Sequence, residues 1–74
     1  MKLLLIEDNQ ANADLYRTSL QRCLNAAIVH VLTGTEGIRA ARHQNDFEVI
    51  LIDFDLPDLH GTQVGLALLH LMRR

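Results

Sequence analysis

Cysteine is almost missing from this chain. Cys23 is the only one among 74 residues, so no internal disulfide braces the core and a reducing compartment is the natural setting. Proline occurs once and glycine four times, which is too little of either for a disordered or low-complexity chain. Long apolar runs are lacking too. The run "LLLI" follows Met1 and Lys2 and stops at Glu7 and Asp8, so neither a signal peptide nor a membrane span is expected, and a cytoplasmic location follows. Positive charge is sparse: seven Lys and Arg face nine Asp and Glu, only Arg73 and Arg74 adjoin, and the net charge is -2. Without a basic stripe, nucleic-acid binding by this segment is not expected. No internal repeat and no dividing linker is visible.

What is there reads as a globular chain, 49 % hydrophobic and 22 % charged. A chain this short buries only about 60 % of its unfolded surface. Residues 1–74 are therefore one small unit or part of a larger one. "KLLLI" is a continuous apolar run closed by polar residues, as expected of a strand covered on both faces, and predicts β1 over 2–7. Ala13, Tyr16, Leu20, Cys23 and Leu24 recur at helical spacing and predict α1 over 10–24, with Asp or Asn at its start as a cap. The β-branched "AAIVHVL" predicts β2 over 27–32. Thr35 as N-cap, with Ala40 and Ala41 as helix formers, predicts α2 over 35–44. "FEVILID" predicts β3 over 48–53. Val64, Ala67, Leu68 and Leu71 at i, i+3, i+4 and i+7 predict α3 over 61–73, with Leu66, Leu69 and Met72 as apolar excess off that stripe. Strands alternating with helices over short connections imply an α/β fold with parallel strands and right-handed crossovers.

In such sheets ligands bind beyond the carboxyl ends of the strands. Glu7 and Asp8 end β1, and Asp53 ends β3, where "LIDFDLPDLHG" crowds Asp55 and Asp58 close behind it. Carboxylates about 4 Å apart repel by roughly 4 kcal/mol at an effective dielectric near 20. A hard cation such as Mg2+ would relieve that repulsion, because it prefers oxygen ligands and tolerates few carboxylates alongside water and phosphate. It would also prepare Asp53 to act as a nucleophile toward phosphorus. Glu7 and Asp8 serve equally well as caps for α1, and Asp55 and Asp58 as solvated loop acids. The four histidines show no i, i+4 pairing; His60 is the one placed to border the acids, where its titration near neutral pH would matter. "GTEG" lacks the length and the Lys-Ser/Thr ending of a phosphate loop.

"IEDN" closing β1, together with "VILIDFDLPDLHG", resembles the receiver domain of two-component response regulators. In that family the phospho-accepting Asp is followed by two residues, a Leu or Met, a Pro, and a Gly four residues beyond the Pro; Asp53, Leu56, Pro57 and Gly61 fit. The resemblance implies a flavodoxin-like parallel sheet of strand order 2-1-3, here limited to three βα units. It makes Asp53 the phospho-acceptor, Asp8 a direct Mg2+ ligand, Glu7 a ligand through water, and Asp55 a ligand through its backbone carbonyl. Pro57 and Gly61 shape the turn. A sensor histidine kinase or a histidine phosphotransfer domain would be the partner, and the chain would be a phospho-acceptor in signalling rather than a turnover enzyme. The resemblance ends at Arg74, before the fourth-strand Ser/Thr and the fifth-strand Lys of that family. Lys2, the only lysine, starts β1 at the wrong end of the sheet to replace the latter. With β3 left as an apolar edge, self-association or a covering partner is expected, and a half-receiver acting only as an interaction module is the second reading. More remotely, "DFD" resembles the opening of haloacid-dehalogenase-like phosphatases, although Pro57 stands where those have Thr or Val.

Overall fold

Residues 3–6 are apolar without alternation, and a strand of that kind is stable only where both faces are covered. In the computed structural model, which describes residues 1–44, 46–53 and 56–72 with the side chains of 69–72 excepted, β1 (Lys2–Ile6) lies between β2 (Ala27–Val31) and β3 (Val49–Ile52) in a parallel sheet of order β2-β1-β3. Lys2 aligns with Ala27, and Leu3 with both Ile28 and Val49. Leu3, Leu4, Leu5 and Ile6 are each at most 2 % exposed. This is the flavodoxin-like α/β arrangement that the sequence implies.

The period of two along β1 sends its side chains to different layers. Leu4 and Ile6 pack with Ala41 of α2 (Gly34–His43) and with Val64 and Leu68 of α3 (Gly61–Met72). Leu3 and Leu5 pack with Ala13 of α1 (Gln10–Leu24) and with Ala26. One layer thus has two helices and the other has one, and α1 lies over β2. That imbalance corrects the expected stripe of α1: Ala13 is buried and Leu20 half-buried, but Tyr16, Cys23 and Leu24 are exposed. On α3 the expected stripe holds for Val64 and Leu68, with Leu66 outside it at 64 % exposed; the side chains of Leu69, Leu71 and Met72 lie outside the described residues.

Local capping sets the helix starts. Asn9 accepts a hydrogen bond from the Asn12 N–H at 2.9 Å and begins α1, and Asn25, in the left-handed region at φ 47°, ends it. Thr33, not Thr35, caps α2: its hydroxyl accepts from the Glu36 N–H and reaches the Glu36 carboxylate, both at 3.1 Å. Thr33 and Glu36 carry the Thr-x-x-Glu spacing of a capping box, which outweighs the isolated Thr35. At the start of α3 the His60 N–H donates to Gln63 Oε1 at 2.9 Å, and the His60 carbonyl accepts from Val64.

Helix α2 approaches β1 closely through Gly37. A Cβ at that position would fall onto Ile6 Cδ1 and lie 2.8 Å from its Cγ1. Among the described residues Gly65 in α3 has no such neighbour, since its Cβ would meet only Ile52 Cδ1 at 4.0 Å. The same substitution should therefore act with opposite signs. Gly37→Ala is expected to lose about 1–3 kcal/mol through overpacking against Ile6, and Gly65→Ala to gain about 0.5–1 kcal/mol from helix propensity; urea midpoints of the two variants check this.

Candidate functional site

The carboxyl edge of the sheet is built by hydrogen bonds that continue just past the strands. The Glu7 N–H donates to the Val31 carbonyl at 3.1 Å, and the Asp53 N–H donates to the Ile6 carbonyl at 2.8 Å. Glu7 and Asp53 thereby extend the register that pairs Ile6 with Val31 and with Ile52, and they stand side by side on adjacent strands. By the two-residue period both side chains share the face of Leu5 and Leu51. There they line a cleft of about 300 Å³ with Leu5, Ile6, Tyr16, Leu51 and Ile52.

Glu7, Asp8 and Asp53 each offer a carboxylate oxygen, and the three oxygens lie within 4.8 Å of one another. Glu7 is buried, Asp53 half-buried and Asp8 exposed. Three hard oxygen donors at such spacings, graded from buried to open, fit a divalent cation that keeps water on its solvent side. Among the sequence-derived site residues, then, the fold brings these three together. Pro57 lies in the segment between β3 and α3, and Gly61 is the first residue of α3. Asp55 lies outside the described residues. His60 sits at the start of α3 and is not among the residues lining the cleft. Lys2 stands at the opposite end of β1, its Nζ 3.0 Å from Asp46.

Burial raises the Glu7 carboxyl above its ordinary value, and hydrogen bonding and charge from Asp53 raise it further. A cation between the two carboxylates would relieve the part of that shift that comes from Asp53. His30 adds a fixed point: its Nε2 lies 2.8 Å from the Glu7 carbonyl oxygen. A carbonyl only accepts, so Nε2 carries the proton. His30 is the one polar residue in an otherwise apolar strand, and that interruption was the available signal for a special contact.

Asp58 is more than a solvated loop acid. Its carboxylate accepts from the Gly34 N–H at 2.8 Å, from the Thr35 N–H at 2.9 Å, and from the Thr35 hydroxyl. Those bonds, the Thr35 hydroxyl first, pull its pKa down to about 2. Asp58 therefore ties the segment after β3 to the first turn of α2. No local pattern reveals this contact, because the partners are 23 and 24 residues apart.

A parallel 2-1-3 sheet whose strand ends gather three carboxylates defines a receiver-type α/β unit. No protein-family model matches the chain. It is 36 % identical over 64 residues to the transcriptional regulatory protein CutR of Streptomyces coelicolor and of Streptomyces lividans, covering 86 % of this chain and 29 % of those proteins. Over 62 residues it is 36 % identical to "Probable histidine kinase 1" of Oryza sativa subsp. indica, covering 84 % of this chain and 6 % of that one. The crystal structure of a signal receiver domain from Vibrio parahaemolyticus superposes with a TM-score of 0.75 at 32 % identity, over 85 % of this chain and 47 % of that one. The chain has the receiver-domain fold and corresponds to the first three βα units of such a domain. It spans under a third of the curated regulators it matches.

The raised Glu7 carboxyl gives a pH dependence of definite sign. A folded-state pKa above the unfolded 4.5 contributes stability that is complete below pH 4.5 and is lost as pH rises through the folded value. The Tm of protein in chelator should therefore fall as pH rises above 4.5, and Glu7→Gln, which stays neutral throughout, should flatten that fall.

Proposed function

We propose that this chain accepts a phosphoryl group on Asp53 in two-component signalling, with Mg2+ held by Asp8, Asp53 and, through water, Glu7. The observation that carries this reading is the convergence of Glu7, Asp8 and Asp53 within 4.8 Å at the carboxyl edge of the sheet. The backbone carbonyl of Asp55 would complete the protein's share of the coordination. The donor is a phosphohistidine on a sensor kinase or a phosphotransfer domain, and the setting is cytoplasmic.

In the transfer, one Asp53 carboxylate oxygen attacks phosphorus, the new P–O bond forms as the P–N bond to histidine breaks, and the imidazole leaves with the bond's electron pair and is protonated. A bound cation would neutralise charge on the phosphoryl oxygens. The protein's own residues do the rest. The Asp53 N–H is held by the Ile6 carbonyl, so the nucleophile's backbone is fixed before the donor arrives. Glu7, buried beside Asp53, would hold the ion through water. Asp8, exposed, leaves an open approach for the donor.

Incubation with Mg2+ and a small-molecule phosphodonor should add one phosphoryl mass to the wild type and none to Asp53→Asn, by intact mass spectrometry. Equal masses in both, from protein folded by circular dichroism, would overturn the reading.

A second copy covering the outer edge of β3 is part of the same proposal. β3 is an edge strand, Leu51 is 38 % exposed, and Tyr16 across the cleft is 49 % exposed; apolar edges of this kind pair with other chains. Sedimentation velocity should show concentration-dependent association, reduced in Leu51→Lys. A monomer at every concentration would refute it.

A further inference from the structure

Asp58 is placed to do more than close a turn. Five residues before it, Asp53 is bonded to the Ile6 carbonyl. Asp58 itself is bonded to the first turn of α2 by two N–H groups and a hydroxyl. Helix α2 in turn leans on Ile6 through Gly37, where no side chain would fit. Asp53 and Asp58 are therefore both referred to one residue of β1, the residue directly before Glu7. Gly34 tightens the same joint, since a Cβ there would lie 2.7 Å from Val64 Cγ2 and 3.1 Å from Leu59 Cβ. The geometry points to Asp58 as a positioning residue for the acid cluster: by clamping onto the α2 N-terminus it holds the segment that leaves β3, and with it Asp53, where Asp53 would meet Glu7 and Asp8 on a cation.

The clamp suits the task electrostatically. A helix N-terminus carries partial positive charge and free N–H donors, and a carboxylate satisfies both. With its pKa near 2, Asp58 stays ionised wherever the acid cluster itself is charged. Its oxygens are spent on Gly34 and Thr35, so it would not compete with Asp53 for a cation.

This inference rests on the acceptor-site reading, and the test separates the two. Mg2+ affinity is measured by amide chemical-shift titration with MgCl2 on wild type, Asp58→Ala, Asp58→Asn, Thr35→Val and the Asp58→Ala/Thr35→Val pair. Asp58→Ala is expected to raise the Mg2+ Kd about 10-fold, the size of effect seen when groups supporting metal ligands are removed. Asp58→Asn, which keeps an acceptor oxygen but loses the charge, and Thr35→Val, which removes one of the three donors, should each do less. The pair should be no weaker than Asp58→Ala alone, because the Thr35 hydroxyl works through Asp58. Wild-type Kd in folded Asp58→Ala overturns the positioning role while leaving the site intact. Should Asp58→Ala fail to fold, wild-type Kd in both Asp58→Asn and Thr35→Val overturns it equally. Wild type that binds no Mg2+ overturns the acceptor site, and the positioning role with it.

Discussion

The hydrogen bond from the Asp53 N–H to the Ile6 carbonyl, 2.8 Å long, is the contact on which the rest of the site depends. It continues the β1–β3 ladder one step past the last paired residues and fixes how far along β3 the carboxylate stands. Were the register displaced by one residue, Asp53 would turn to the other face and the side chains of β3 would exchange layers. Hydrophobic burial forbids that displacement: Ile50 and Ile52 pack against the α2 and α3 layer, while Val49 packs with Leu3 and Leu5. The chemistry at the sheet's edge is therefore positioned by hydrocarbon several residues away. Aliphatic side chains hold the strands, and the strands hold the acids.

Repulsion among those acids is the cost of that arrangement. Together with burial, the larger cause, it raises the Glu7 carboxyl above its ordinary value. Charge and position are handled by different residues. Glu7 adjusts its charge, His30 pins the Glu7 carbonyl, and Asp58 is tied to Gly34 and Thr35 and so withheld from the cluster. A loop carrying three aspartates is tolerable because one of them is already satisfied by a helix end.

Much of this was legible in the residues. The unbroken "LLLI" marks a strand covered on both sides, and the alternation of elements implies parallel strands; that β1 and β3 are neighbours, so that Glu7, Asp8 and Asp53 meet, was implied only by the receiver resemblance. The helix caps were less legible. Thr33 and Thr35 are both plausible caps, and only the spacing to Glu36 separates them. The stripe of α1 misled in a physical way: Tyr16 and Leu24 have the right periodicity for burial, but a face with a single helix has too little cover to bury them. The Asp58 clamp was not legible at all. It joins residues on different helices, and nothing in either neighbourhood announces the other.

The central place of β1 also governs how this chain comes into being. β1 is synthesised before both of its partners, since Lys2 pairs with Ala27 and Leu3 with Val49. A nascent chain leaving the ribosome thus carries a four-residue aliphatic strand with no neighbour until β2 emerges, and with only one until β3 follows. During that interval Leu3 to Ile6 are a sticky segment in the sense that chaperones recognise. The strand that is most protected in the finished fold is the one left bare for longest while it is being made.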